Sequence, residues 1–219
     1  MKSLVKSTAA EFFGTAILVM VVVGSGIMGT NLSPDTGVAL LINMFSTVLA
    51  LGLLIFILGP LSGAHFNPIV TFVFLLRRTI EPKTALSYVA AQIAGAIAGA
   101  VVANAMFDLN AIQKSTHVRS SLGLWLGEVV ASAGLIIVIF TLIDRQISHL
   151  IPIAVPVWIG SAYLFTSSTS FANPAVTIGR IFSDTFAGIA SASVLGFIIA
   201  QLIGALLGAA ITTTLGTKS

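Results

Sequence analysis

Cysteine is absent from this 219-residue sequence, which excludes disulfide bonds and thiolate metal ligands. Charge is also scarce, because Asp, Glu, Lys and Arg together make up 8% of the residues, whereas a soluble domain carries about 25%. No basic cluster is larger than the pair Arg77 and Arg78, which argues against nucleic-acid binding. Apolar residues dominate instead, at 57% with a mean hydropathy of +1.08, and they indicate a protein whose partner is membrane lipid.

Apolar segments of about 20 residues, the length that crosses a bilayer, recur along the chain. The predicted spans are 8–29, 37–59, 85–107, 120–143, 147–165 and a stretch within 185–214. After the second and the fifth of them comes an apolar remainder that is too short to cross again, such as 61–76. We expect these two remainders to be re-entrant segments, which are tolerated at membrane depth when protein or a cavity surrounds them.

The two remainders carry matching sequence, Asn-Pro followed by Val-Thr, at 66–71 and 172–177. Glu11 and Glu128 also match near the starts of the first and fourth spans, as do Ala-Gln segments that begin at 91 and 200. This is an internal repeat, which divides the chain into a first repeat and a second one. The predicted units are 1–113, with a half-helix at 67–77, and 114–219, with a half-helix at 173–183.

Three crossings in each repeat is an odd number, so the second repeat must be inverted in the membrane relative to the first. The predicted fold is all-α and membrane-embedded, with six spans, two re-entrant half-helices and an inverted three-plus-three arrangement. With both termini cytoplasmic, seven of the ten Lys and Arg residues fall inside, as the positive-inside rule expects, and we predict a plasma membrane location. The seven are Lys2, Lys6, Arg77, Arg78, Lys83, Arg145 and Lys218.

Asparagine is a favoured helix N-cap and proline a favoured first helical residue, so each Asn-Pro predicts a helix start inside the membrane. In inverted repeats the two positive helix ends point at each other, which repels cations and leaves two amides to hold water or a hydroxylated solute. We expect extended backbone before each motif, at about 63–66 and 168–172, with its carbonyl oxygens along the path. The motif residues are Asn67, Pro68, Ile69, Asn173, Pro174 and Ala175.

The segments Ser-Gly-Ala-His-Phe-Asn-Pro at 62–68 and Ala-Ala-Glu-Phe-Phe-Gly-Thr at 9–15 resemble signatures of the aquaporin, or major intrinsic protein, family. The resemblance covers nearly the whole chain. It implies six spans, two half-helices, one pore in each protomer and a homotetramer. It also implies that Glu11 and Glu128 brace the re-entrant loops from inside the bundle, where a carboxylate needs a partner.

The sequence departs from the family pattern three residues after Asn173, where the family usually has an arginine of the outer selectivity filter and this chain has Val176. By spacing, the other filter positions are Thr47, Tyr163 and Ser170. Such a filter carries no charge, and we expect it to be wide enough for small polyols or neutral metalloid hydroxides such as arsenite, as well as water. The segment 165–176 also resembles a bacterial aquaglyceroporin subgroup associated with arsenic resistance.

Two further side chains are candidates for the pore mouth or lining. Arg180 lies one helical turn after Val176, so it either reaches the outer vestibule and partly replaces the missing arginine or snorkels to the membrane interface as an anchor. His65 precedes Asn67 by two residues and is a candidate for the inner pore.

A passive channel for small uncharged solutes is the leading interpretation, and a strict water channel is the nearest alternative. A secondary transporter also uses inverted repeats and broken helices, but coupling usually needs an ionisable group near the substrate, and the intramembrane carboxylates lie near span starts. A pore-closed structural membrane protein is the third alternative. No nucleophile–base pair or metal-ligand cluster occurs in the spans, so neither enzymatic activity nor a cofactor or metal site is expected.

Overall fold

The computed structural model describes residues 4–215, and in that range every regular element is a helix. Lys2 and Lys218 of the charge count, and the outer ends of both predicted repeats, therefore lie outside the described residues. Short 3-10 turns precede α6 at Ser148–Leu150 and follow α7 at Arg180–Phe182. The α-helices are α1 (Leu4–Leu32), α2 (Thr36–Ser62), α3 (Pro68–Leu76), α4 (Pro82–Met106), α5 (Leu122–Asp144), α6 (Ile151–Phe165), α7 (Pro174–Gly179) and α8 (Ser191–Leu215).

Six of these elements are long and apolar enough to cross a membrane, if α6 is taken together with the 3-10 turn before it. The remaining two, α3 and α7, have nine and six residues and follow the second and fifth long helices. The predicted fold class, six spans with two half-helices, is therefore confirmed. Helices α1 and α2 extend one to four residues beyond both predicted ends, because helix geometry continues past the most apolar part of each segment, whereas α4 and α5 agree with their predicted bounds to within three residues.

The second half-helix differs from its predicted range of 173–183. Only Pro174–Gly179 is α-helical, and the chain then tightens into the 3-10 turn. Asn104 of α4 donates a hydrogen bond to the Phe182 carbonyl at 2.8 Å and accepts one from the Ser183 hydroxyl at 2.8 Å. These bonds draw the end of the segment onto α4, so the helix does not continue.

Each repeat contains one close helix crossing, at an equivalent place. A Cβ on Gly95 of α4 would collide with the Phe12 carbonyl oxygen of α1, and a Cβ on Gly204 of α8 would collide with the Val129 carbonyl oxygen of α5. The glycine four residues later in each helix repeats the contact one turn on. Small residues at this spacing let helix backbones approach closely, and they fix the α1–α4 and α5–α8 pairs on which both half-helices rest.

Large apolar side chains cover the outside of the bundle as well as its interior. Phe45, Leu49, Leu53 and Phe56 of α2 are all exposed. An apolar outer surface on an apolar core is the arrangement expected of helices surrounded by lipid.

Candidate functional site

Each half-helix begins at an asparagine whose side chain caps the helix. The Asn67 Oδ1 accepts a hydrogen bond from the Ile69 N–H at 3.1 Å, and the Asn173 Oδ1 accepts one from the Ala175 N–H at 2.9 Å. A proline follows each asparagine at the first helical position, where a missing N–H costs nothing. The Asn-Pro pairs are thus the starts of two helices inside the bundle.

The two helix starts meet across the centre of the protein. The Asn67 Nδ2 donates to the Ala172 carbonyl at 2.7 Å, and the Asn173 Nδ2 donates to the Phe66 carbonyl at 2.9 Å. An amide group carries two N–H donors, so this cross-pairing leaves one N–H on each asparagine for a solute. Because both positive helix ends converge here, cations meet an electrostatic barrier.

The backbone before each motif is not extended, so that prediction was wrong. Ala64 and Phe66 have φ of 51° and 47°, and Ser170 and Ala172 have φ of 51° and 43°. Left-handed conformations cost about 1–3 kcal/mol each in residues other than glycine and persist only where neighbouring contacts impose them. Here they turn successive N–H groups toward one side of the loop, which makes a concave site for an anionic group.

Glu11 fills that concave site in the first repeat. Its carboxylate is fully buried and accepts hydrogen bonds from the N–H groups of His65 at 2.9 Å and Phe66 at 2.6 Å. It also accepts from the Ser62 hydroxyl at 2.6 Å and the Gln92 Nε2 at 2.8 Å. The carboxylate therefore joins α1, the re-entrant loop and α4.

Glu128 has the equivalent position in the second repeat. It is fully buried and accepts from the N–H groups of Phe171 at 2.9 Å and Ala172 at 2.8 Å, and from the Gln201 Nε2 at 2.6 Å. Gln201 also donates to the Thr177 hydroxyl at 2.9 Å. The loop of each repeat is thus held by one glutamate and one glutamine from long helices.

The sequence reasoning noted the repeated Ala-Gln segments but gave their glutamines no role. Gln92 and Gln201 prove to be second partners of the two carboxylates, and each also donates to a threonine of a half-helix, Thr71 or Thr177, at 2.9 Å. The signal was present, because a polar residue that recurs at matching places in two apolar helices has to find a buried partner.

A cavity of about 800 Å³, a volume that includes open solvent, is lined by both asparagines. One side of its wall is aliphatic and comes from four long helices, and the other side carries the polar groups of the two loops. The aliphatic wall includes Leu18 and Val22 of α1, Leu51 and Ile55 of α2, Leu135 and Ile139 of α5, and Val155 and Ile159 of α6.

All four residues assigned to the filter by spacing lie on the wall of this cavity: Thr47, Tyr163, Ser170 and Val176. The Tyr163 hydroxyl donates to the Thr47 hydroxyl at 3.4 Å, which brings α2 and α6 together at this level. The Ser170 hydroxyl is buried and has no hydrogen-bond partner within the part of the chain that the structure describes. It is therefore the hydroxyl among these four residues that no described protein group occupies.

Arg180 also lies on the cavity wall, and only 3% of its surface is exposed. Its Nε donates to the Ala187 carbonyl, and its guanidinium carbon lies 3.4 Å from the centroid of the Phe171 ring. The alternative that this arginine snorkels to the membrane interface is therefore wrong. The 3-10 turn that begins at Arg180 turns the side chain inward.

His65 lies on the cavity wall at the opposite end from Arg180. Its Nδ1 is 3.0 Å from the Thr71 hydroxyl, and its ring packs against Phe74 and Tyr88 with centroids 4.3 and 5.4 Å away. The ring is therefore fixed on three sides. No group of residues suited to hold a metal ion occurs between residues 4 and 215.

Comparison with known proteins gives one family. Residues 1–171 match the family described as Major intrinsic protein, so the match stops just before Asn173. The chain is 47% identical to aquaglyceroporin AqpS of Rhizobium meliloti (strain 1021), over 92% of this chain and 86% of that protein. It is 39% identical to human aquaporin-5 over 48% of this chain and 38% of that protein.

Among solved structures, the X-ray structure of the aquaglyceroporin from Plasmodium falciparum has a TM-score of 0.77 to this chain. The alignment covers 97% of both chains at 20% sequence identity. At that identity the likeness concerns the fold, which is the same arrangement of six long helices and two half-helices.

Proposed function

Since this chain belongs to the major intrinsic protein family, we propose that it is a channel for water and small neutral solutes such as glycerol that also conducts neutral metalloid hydroxides, with arsenious acid as the test case. The observation that carries this proposal is the cavity, which is lined by both asparagines and walled by both repeats.

The shape of the wall favours hydroxylated solutes over ions. Asn67, Asn173 and Ser170 each have a hydrogen-bonding group left for a solute, while the facing wall is aliphatic. A neutral triol such as glycerol or arsenious acid can bond to the polar side and lay its other face on the apolar side. An ion would lose its hydration shell without enough replacement.

Val176 is the reason for extending the solute range to metalloid hydroxides. It presents an apolar side chain to the cavity at the place where the family pattern has an arginine. A solute larger than water therefore meets no rigid donor fork at this position. The similarity to an aquaglyceroporin over 92% of the chain supports the same solute class.

We extend the proposal to assembly and placement. A homotetramer in the plasma membrane, with both termini cytoplasmic, accords with the exposed apolar side chains of α2 and with the excess of Lys and Arg on the predicted inner side. The proposed activity is transport without catalysis, as the channel family supports. Coupled transport finds no support, since the buried carboxylates of Glu11 and Glu128 are occupied by loop N–H groups.

Stopped-flow light scattering on proteoliposomes tests the proposal, with water, glycerol and neutral arsenious acid as the three solutes. Fast, non-saturating entry of all three supports the wide neutral channel. Entry of water without entry of glycerol or arsenious acid would indicate a strict water channel. Saturable uptake that depends on an ion gradient would favour a transporter, and no flow above that of empty vesicles would favour a pore-closed protein.

A further inference from the structure

The cavity wall carries one formally charged side chain, Arg180, among the residues that the structure describes. This arginine forms no salt bridge in that part of the chain, where the recorded pairs are Arg77 with Asp144 and His117 with Asp184. A buried guanidinium without a carboxylate partner is costly, so its persistence beside a solute path calls for a role.

The side chain is held in a fixed orientation. Its Nε donates a hydrogen bond to the Ala187 carbonyl, and its guanidinium lies over the Phe171 ring. An arginine can stack on a ring and donate hydrogen bonds at the same time. Within residues 4–215 no hydrogen bond from its two terminal nitrogens to protein occurs. The four N–H groups on those two nitrogens have no acceptor in the described chain, and the side chain that carries them lines the cavity and is held in place.

Several side chains that lie near this guanidinium in sequence or in space belong to the same end of the cavity. Val176 precedes Arg180 by one turn on the same half-helix, and the unpartnered Ser170 hydroxyl lies on the same re-entrant loop as Phe171. Arg119 adds a second positive charge at this end, with its guanidinium carbon 5.4 Å from the centroid of the same ring. Its Nε and one terminal nitrogen donate to the Gly188 and Phe186 carbonyls, and of the two arginines it is Arg180 that lines the cavity.

We propose that Arg180 is the selectivity-determining cation of the outer constriction, supplied from one turn beyond Val176, and that Phe171 is the residue that positions it. The inference rests on the proposed channel function and deepens it. Val176 leaves its part of the constriction apolar and open, while Arg180, one turn further along, supplies the fixed N–H groups of its terminal nitrogens and a positive charge. The resulting opening admits a neutral solute with one hydroxylated face and rejects cations.

The test compares wild type with Arg180→Leu and Arg180→Lys in proteoliposomes, with Arg145→Leu as the matched control. Arg145 is an exposed arginine at the end of α5, so its replacement removes the same charge far from the cavity. The readouts are water, glycerol and five-carbon polyol entry by light scattering, and cation leak by a pH-sensitive dye under an imposed potassium gradient.

For Arg180→Leu we expect cation leak to rise at least about tenfold above wild type, because the charge that repels cations is gone. The permeability of the five-carbon polyol relative to glycerol should also rise, by roughly threefold or more, because the fixed fork is gone. Arg180→Lys should keep cations out but lose part of the polyol selectivity, since an ammonium does not stack or present a planar fork. Arg145→Leu should behave as wild type.

Phe171→Leu tests the positioning role against Phe56→Leu, the same change at an exposed position of α2 that does not line the cavity. The first should move polyol selectivity in the direction of Arg180→Leu, and the second should leave it unchanged. If Arg180→Leu does not assemble, the lysine variant and the Phe171 pair still decide the question. A conducting wild type whose Arg180 variants keep its cation exclusion and polyol ratio would overturn this inference alone, whereas a non-conducting wild type would overturn the proposed function.

Discussion

The two ends of the cavity are formed by equivalent segments of the two repeats, but the side chains at equivalent positions differ. The register that aligns Asn67 with Asn173 also aligns His65 with Phe171 and Phe74 with Arg180. At the end that the proposed orientation makes inner, the loop residue His65 packs on Phe74 with ring centroids 4.3 Å apart. At the end that it makes outer, the guanidinium carbon of Arg180 lies 3.4 Å from the ring centroid of the loop residue Phe171. One end is therefore lined by two aromatic rings and the other by a ring and an arginine.

The supports behind the two ends are nearly identical. In both repeats a buried glutamate accepts from two successive loop N–H groups and from a glutamine that also bonds a half-helix threonine. The comparison separates two requirements. We call each set of contacts, from glutamate to loop N–H groups, glutamine and threonine, a bracket. Both re-entrant loops need such a bracket to hold their strained backbone at membrane depth, whereas solute selection needs a special constriction at only one end.

Removing the glutamate of either bracket should have the largest effect on stability, and the effect should be similar at the two ends. Glu128→Ala leaves two loop N–H groups and one N–H of the Gln201 amide without an acceptor, and each buried unsatisfied donor costs about 1–3 kcal/mol. We expect a loss of about 3 kcal/mol or more in unfolding free energy, measured by thermal unfolding in detergent. Glu11→Ala should lose a similar amount. If either variant unfolded like wild type, the bracket would not be what holds that loop.

A negative charge in place of either central asparagine should have the next largest effect, which is on cation exclusion, and the two positions should behave alike. Asn173→Asp places a carboxylate against the Phe66 carbonyl and at the start of the half-helix, so cation exclusion should weaken. We expect cation conductance in planar bilayers to rise by about tenfold, since about 1.4 kcal/mol of barrier corresponds to that factor. Asn67→Asp is the matched variant. Absence of conductance in both would mean that the helix dipoles, rather than the amides, exclude cations.

Widening and narrowing the outer constriction should separate the two ends. Val176→Arg adds a second guanidinium beside Arg180, so glycerol entry should fall by about tenfold while water entry stays close to wild type. Val176→Leu is the control that adds bulk without charge, and we expect it to reduce glycerol entry much less. Stopped-flow permeability gives both values. Unchanged glycerol entry in Val176→Arg would remove Val176 from the constriction.

Making the outer loop resemble the inner one should have the smallest effect. Ala64 is the inner counterpart of Ser170, so Ser170→Ala copies the inner sequence into the outer loop. The Ser170 hydroxyl has no protein partner in the described chain, and the unfolding free energy should stay within about 0.5 kcal/mol of wild type. Glycerol entry should fall by roughly two- to fivefold, the loss of about one net hydrogen bond. A stability loss without a change in glycerol entry would contradict this assignment.

The fold was open to prediction because the bilayer restricts it so strongly. Span lengths, two short apolar remainders and an odd number of crossings in each repeat led to the observed six long helices and two half-helices. The Asn-Pro helix starts followed from capping preferences that act within three residues. The loop conformation was predicted wrongly, because the left-handed residues Ala64 and Ser170 belong to loops whose N–H groups turn to glutamates distant in sequence.

The sequence by itself determined the membrane class, the inverted repeat and the two helix starts, since these depend on composition, counting and local preference. Tertiary structure decided which polar groups meet. Only packing shows that Arg180 turns inward onto Phe171, that Gln92 and Gln201 complete the brackets, and that each asparagine spends one of its two donors on the opposite loop. These pairings join residues from different helices and opposite repeats, and no local rule of spacing carries that information.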